Sequence, residues 1–354
     1  MQLLEATISK IPAPDAAARA TAHARLERLT MPYWALGRLM DLAEDLAGMT
    51  GCPLPAVQRK TIVTMAGDHG VAAEGVSNYP PEVTPQMVHN FVHGGAGINA
   101  LSRLVGARVV VVDMGVAGDL SALHKAGKII SKRIGPGTAN MARGPAMTRA
   151  EAVRCIEAGI DVAQQLAPCT DVFGTGDMGI GNTTPSSAIV AVLTGADVEQ
   201  VTGRGTGISD AQRQHKVEVI RKALALNKPD PKDALDVLAK VGGFEIGGLA
   251  GLILGAAAQR KPVLVDGFIS TAAALLACVL APQSAAYMIA AHRSVEQGHR
   301  TALEFLHKEP LLDLNMRLGE GTGAALAMNL VEAAVRVLTE VATFEEAAVS
   351  EAKQ

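Results

Sequence analysis

No block of Lys or Arg appears anywhere in this chain, and its net charge is only −3. Nucleic-acid backbones are bound through clustered cations, so an extended nucleic-acid surface is excluded while small anionic ligands are not. The four cysteines (Cys52, Cys155, Cys169, Cys278) follow no C-x-x-C or Cys/His spacing, which predicts small buried side chains rather than disulfides or a metal site. Residues 246–258, the longest apolar run, fall short of the ~18 residues a membrane span needs, and no basic leader precedes an apolar segment. These absences predict a cytoplasmic protein without a membrane partner. Neither a Walker sequence nor a Gly-x-Gly-x-x-Gly at the first strand is present, which argues against kinase chemistry and a dinucleotide ligand. Aromatics are also sparse, at 3%, but 49% of the 354 residues are hydrophobic, enough for one large core with at most an appendage.

What is present centres on residues 174–187, Gly-Thr-Gly-Asp-Met-Gly-Ile-Gly-Asn-Thr-Thr-Pro-Ser-Ser, after a short strand-like run at 170–173. Gly174, Gly176, Gly179 and Gly181 allow positive φ and close backbone approach, so successive N–H groups can converge on an oxyanion. Asn182, Thr183 and Thr184 can cap the following helix, whose N-terminus favours phosphate. Asp177 is the exception: an acid among phosphate-binding N–H groups must serve something other than phosphate. A plain strand-to-helix turn with an Asx cap is the alternative. Gly205 belongs to a second flexible loop, and Lys216, on a helix expected over 210–226, either reaches a phosphate or lies on a solvated face.

Apolar or β-branched runs at 61–65, 107–112, 128–134, 170–173, 262–268 and 286–291 alternate with helical segments. That alternation predicts an α/β fold, a doubly wound and mainly parallel sheet of about six strands. Polar residues end several runs, including Asp68-His69, Asp113, Asp266 and His292-Arg293-Ser294, and ligands of such sheets gather at strand carboxyl ends. His69 reads as a hydrogen-bonding residue rather than a metal ligand. Residues 1–55 form a helical arm, 56–325 a catalytic domain, and 326–354 terminal helices that join the arm in a small second domain. In the Pro-rich loop and helix start at 74–99, Ser77, Tyr79, Pro80, Gln86 and Met87 combine flat apolar area with a few polar groups. A heteroaromatic ring needs that mixture, although an ordinary surface loop carries it too.

Glu320 stands between glycines in Arg317-Leu-Gly-Glu-Gly-Thr-Gly, ahead of an apolar helix. A carboxylate on such a loop can project into a pocket, where burial raises its pKa toward that of a working base; a Glu favoured by a helix dipole is the plainer reading.

In sequence order, Gly67-Asp-His-Gly-Val, Glu74-Gly-Val-Ser-x-Tyr-Pro, Gln86-Met-Val-x-Asn-Phe, Val112-Asp-Met-Gly-Val, Met178-Gly-Ile-Gly-Asn-Thr-Thr, Gly242-Gly-Phe-Glu-Ile, Val265-Asp-Gly-Phe and the Glu320 motif together resemble the nicotinate-nucleotide–dimethylbenzimidazole phosphoribosyltransferase family. The resemblance implies a Rossmann-like sheet, a small helical domain and a homodimer. It implies no cofactor, with nicotinate mononucleotide and a benzimidazole-type base as the partners. Glu320 would then be the catalytic base, assisted by Asp177. Gly176, Gly179, Gly181, Asn182, Thr183, Gly205, Lys216 and Ser294 would hold the mononucleotide, and Met178 and Leu318 would join the residues around the base. One departure is visible, because the family usually has Glu where this chain has Asp177. A non-catalytic mononucleotide-binding protein of the same fold would need the cradle but not Glu320.

Overall fold

Six parallel strands, all ending near one edge, place the chemistry-bearing residues of this chain together. The computed structural model describes residues 1–350; residues 351–354, the end of the expected 326–354 segment, lie outside the described residues. The strands are β1 (Lys60–Gly67), β2 (Arg108–Gly115), β3 (Ile130–Ser131), β4 (Val172–Met178), β5 (Val263–Val265) and β6 (Met288–Ala290). Their order is β3-β2-β1-β4-β5-β6, and every pairing is parallel. The order reverses between β1 and β4, and the crevice beyond the strand ends at such a switch point is where doubly wound sheets bind ligands. Met65 pairs with Asp177 and Ala66 with Met178 at that point.

Both faces of β1 are covered, as the period-two alternation of a buried strand requires. Ile62 and Thr64 face the helix Thr322–Glu340 and the loop before it, whereas Met65 faces the helix Phe244–Ala257. On that second face the glycines of Phe244–Ala257 act through close approach. A Cβ on Gly251 would lie 2.0 Å from the Ile156 carbonyl oxygen, so the helix Arg149–Leu166 can pack there only against a bare backbone.

The helices at the two ends of the chain meet. Arg25 Nε donates to the Leu338 carbonyl (2.8 Å), and Leu29 forms an antiparallel bridge with Thr343. The expected boundary at 325/326 falls inside Thr322–Glu340, and the apolar residues of the terminal helices are continuous with the core under the sheet. Thr322–Glu340 is the one helix among the described residues long and apolar enough to cross a membrane, and most of it is buried in the protein.

Several expectations need correction. The run 128–134 yields only a two-residue strand, since its later residues turn toward Gly137, which takes φ +96°. Cys52 and Cys169 are exposed, the first just past a helix end and the second closing a short turn where its Sγ donates to the Leu166 carbonyl; all four cysteines are free thiols. Finally, β4 runs to Met178, so Gly174 and Gly176 are strand residues rather than parts of a loop.

Candidate active site

Glycines within β4 exist to receive another segment. A Cβ on Gly176 would lie 2.2 Å from the Glu320 carbonyl oxygen, and one on Gly174 would lie 2.4 Å from Ile62 Cδ1 and 3.1 Å from Ala324 Cβ. The Glu320 loop and the start of its helix therefore rest directly on the strand. Gly179 is likewise a close-approach position, 2.3 Å from the Gly67 carbonyl oxygen by the same construction, and among these four glycines only Gly181 takes positive φ. The expected glycine cradle is in large part a seat for Glu320.

Gly319, Glu320 and Gly321 adopt φ +79°, +62° and +101° in succession. A non-glycine residue in this region costs about 1–2 kcal/mol, so its surroundings must hold it. They do. Thr64 Oγ1 donates to the Glu320 carbonyl (2.9 Å), and Asp266 accepts from the Gly321 N–H (3.2 Å) and the Ala324 N–H (2.9 Å). The Ile98 N–H, in the first turn of the helix Gly97–Leu104, donates to Glu320 Oε2 (3.0 Å), which leaves Oε1 available to a ligand. Burial pushes the Glu320 carboxyl above its ordinary pKa, opposed by the Ile98 N–H, and Asp266 adds to the rise.

Glu320 lines a cavity of about 750 Å³ at the strand ends. Asp177, Met178, Gly179, Asn182 and Thr183 form one wall, Gly205, Ser294 and Glu296 another, and Tyr79, Val83, Met87, Leu101, Phe268, Met316 and Leu318 supply apolar surface. Asn182 occupies the N-cap position of the helix Thr183–Thr194, but its side chain makes no capping hydrogen bond, and Thr183 is already the first helical residue. Asn182 Nδ2 donates to Asp177 Oδ2 (2.9 Å), and Thr183 Oγ1 accepts from Lys216 Nζ (2.6 Å). Asp177 Oδ1 is buried without a partner among the described residues, and burial together with the charge of Asp266 pushes this carboxyl well above its usual range.

Lys216 lies on no solvated face. It is 1% exposed, directly behind Thr183, and burial lowers its pKa to about 8. Ser294 is fixed by His299, whose Nδ1 accepts the Ser294 N–H (2.8 Å) while Nε2 meets Thr271 Oγ1 (2.9 Å). That pairing makes Nε2 the protonated nitrogen, and burial pulls the His299 pKa down to about 3. His69 is a hydrogen-bonding residue, joined to the buried Glu245 at 2.8 Å.

Not every expected site residue reaches the cavity wall. Ser77, Pro80 and Gln86 stand outside it, Gln86 and Pro80 on the exposed surface, while Gly176 lies under Glu320 and Gly181 against Ala72. Conversely, Glu296 has no signal in the sequence, and Phe268, Arg317 and His292 stand there only in motifs or at a strand end; their place in the cavity wall, and Asp266 as the anchor of the Glu320 loop, come from the fold. The strand-end rule applied to β5 and β6 points to Asp266 and His292; no local pattern marks Glu296.

A family model described as phosphoribosyltransferase matches residues 11–349. The nicotinate-nucleotide–dimethylbenzimidazole phosphoribosyltransferase of Syntrophotalea carbinolica is 67% identical over 353 residues, covering 100% of both chains, and that of Desulfotalea psychrophila is 59% identical over 99% of each. A crystal structure of the enzyme of that name from Thermus thermophilus superposes with a TM-score of 0.89 at 44% identity, covering 96% of this chain and 100% of the other. With its sheet order, its Glu320 loop and relatives matched from end to end, this chain belongs to the nicotinate-nucleotide–dimethylbenzimidazole phosphoribosyltransferase family.

Proposed function

We propose that the protein transfers the phosphoribosyl group of nicotinate mononucleotide to 5,6-dimethylbenzimidazole or a related aromatic base. The products are α-ribazole 5′-phosphate and nicotinate, and the step belongs to assembly of the cobalamin nucleotide loop. The observation that carries this reading is a single cavity with an anchored carboxylate, Glu320, at one end and a buried ammonium behind a helix start, Lys216 and Thr183, at the other.

The nucleotide phosphate lies at the second end, against Gly179, Asn182, Thr183, Gly205 and Ser294, with Lys216 supplying charge. The ring nitrogen of nicotinate mononucleotide is cationic and departs neutral, so its departure requires no proton. Attack by a benzimidazole nitrogen from the opposite face of the ribose forms the new C–N bond as the old one breaks, turning a β-nucleotide into an α-nucleotide. Glu320 Oε1 takes the proton from the other benzimidazole nitrogen. Asp177, ionised once the cationic substrate is beside it, stabilises positive charge developing on the sugar. The acceptor ring packs among Tyr79, Met87, Met178 and Leu318, with Ser77, Pro80 and Gln86 as the outer rim. Gly176 serves by seating Glu320, and Gly181 by turning the chain into the helix.

We further propose that the protein is a cytoplasmic homodimer, and that helices from the two termini form its smaller unit. Sedimentation equilibrium at the mass of one chain would remove the dimer. For the reaction, purified protein is incubated with nicotinate mononucleotide and a panel of benzimidazoles, purines and phenols in a chelator, and products are read by mass. α-Ribazole phosphate and nicotinate are expected. Nucleotide binding without turnover of any acceptor would overturn the reading, and activity that returns only with a divalent ion would overturn its metal-free step.

A further inference from the structure

Glu296 is a buried carboxylate that no step of the proposed reaction uses. It lies beyond β6, is 7% exposed, and lines both the reaction cavity and a neighbouring one of about 580 Å³ on the far side of the 203–207 segment. Its Oε2 has no hydrogen-bond partner among the described residues, and a Cβ on Gly203 would come within 2.1 Å of that oxygen. The nearby Gly205 backbone N–H favours the ionised form of this carboxylate. The segment thus crosses Glu296 as closely as a bare backbone permits. Gly205 in turn touches the phosphate end, since a Cβ there would lie 2.9 Å from Thr183 Oγ1 and 3.6 Å from Lys216 Nζ.

A carboxylate repels phosphate, so its place beside a phosphate site needs a reason. Lys216 supplies one. An ammonium withdrawn from water tends to lose its proton, and Glu296 is the negative charge that opposes this loss. Three arginines stand near Glu296, and the charge of Arg317 also favours its ionised form. Arg204 pairs with Asp210 (2.5 Å), Arg213 donates to the Thr202 and Glu199 carbonyls (3.0 Å each), and Arg317 donates to the Gly205 carbonyl (3.2 Å).

We propose that Glu296 is a positioning residue for the mononucleotide phosphate: it anchors the 203–205 backbone and serves as the counter-charge of Lys216 until the phosphate takes over that part. The proposal rests on the assignment of Lys216 to the phosphate. Dianionic phosphate then meets a lysine already charged, and a loop already shaped, in the empty site.

The test is the pH profile of kcat/KM for nicotinate mononucleotide, which reports the free enzyme, measured from about pH 6 to about pH 10 in the wild type and in Glu296→Gln, Glu296→Asp and Lys216→Ala. Wild-type kcat/KM should fall as pH rises through about 8, where Lys216 loses its proton. In Glu296→Gln the fall should move to lower pH; a displacement of one unit gives a loss approaching tenfold above the new midpoint. Glu296→Asp keeps the charge but shortens the contact, so kcat/KM should drop at every pH with the fall in its wild-type place. A fall that stays put in Glu296→Gln, or tighter nucleotide binding at all pH values, overturns the proposal. Should Glu296→Gln not fold, displacement of the fall in Glu296→Asp overturns it equally. Unchanged nucleotide kcat/KM in Lys216→Ala would instead remove the underlying assignment of Lys216.

Discussion

At one end of the cavity Glu320 stands on three consecutive left-handed residues tied down by Thr64, Asp266 and the Ile98 N–H; at the other the 203–207 segment exposes Arg204, Thr206 and Gly207. The difference follows the chemistry proposed for each end. A base must meet one ring proton at hydrogen-bond distance, and small misplacements there cost rate, so backbone strain is accepted to fix the carboxylate. A phosphate is recognised through charge and several N–H groups, which tolerate adjustment as the nucleotide enters. Arg317, two residues before the Glu320 turn, donates to the Gly205 carbonyl and so joins the rigid end to the adjustable one.

The strongest way to break this contrast is to disable the fixed end chemically without moving it. Glu320→Gln keeps the shape and the acceptor for the Ile98 N–H but cannot take a proton, so kcat should fall by about 10²–10⁴-fold. Because burial raises the Glu320 pKa, wild-type activity should also decline toward acid at a pH above the ordinary Glu value of about 4.3, as the base becomes protonated. That acid limb should vanish in the Gln variant. Near-wild-type kcat in both Glu320→Gln and Glu320→Ala would refute a catalytic role, whereas an active Gln and an inactive Ala variant would reduce Glu320 to orienting the ring.

A second substitution moves the fixed end without touching its chemistry. Gly176→Ala places a methyl 2.2 Å from the Glu320 carbonyl oxygen, and backbone on both sides leaves little room to yield. We expect kcat to drop by about tenfold to a hundredfold, as a misplacement near 1 Å implies, with the KM for nicotinate mononucleotide changing far less. Equal changes in both constants would mean that the two ends are not independently built.

Much of this was legible in the sequence, and the exceptions share a cause. The six strands showed as apolar runs because a parallel sheet covered on both faces needs them, and Glu320 stood out because glycines on either side mark a backbone that must turn sharply. The role of Gly174 and Gly176 was misread because the partner that demands glycine is a loop about 140 residues later, a contact that no local pattern encodes. Lys216 was ambiguous for a similar reason: the helix Asp210–Asn227 is only weakly amphipathic, so its buried side could not be told from its wet one. Glu296 was silent altogether, since its significance lies in Gly203 and Lys216 rather than in its neighbours along the chain.

The smallest effect is expected where the walls are least fixed. Tyr79 lines the cavity yet is 52% exposed, and its phenol has no hydrogen-bond partner among the described residues: the loop is held instead by the Tyr79 N–H to Ser77 Oγ (3.2 Å), by Asn78 to the Gly207 carbonyl (3.3 Å) and by Gln212 Nε2 to Asn78 Oδ1 (2.9 Å). A ring held this loosely offers stacking area to the acceptor base but does not fix its orientation, and a stacked aromatic pair adds about 0.5–1.5 kcal/mol. Tyr79→Ala should therefore raise the KM for dimethylbenzimidazole by about two- to tenfold and leave the KM for nicotinate mononucleotide alone. Steady-state rates with each substrate varied in turn would separate the two. A large loss of kcat at saturating base would show that Tyr79 helps to set the attack geometry, and would place the 77–80 loop with the rigid end of the site.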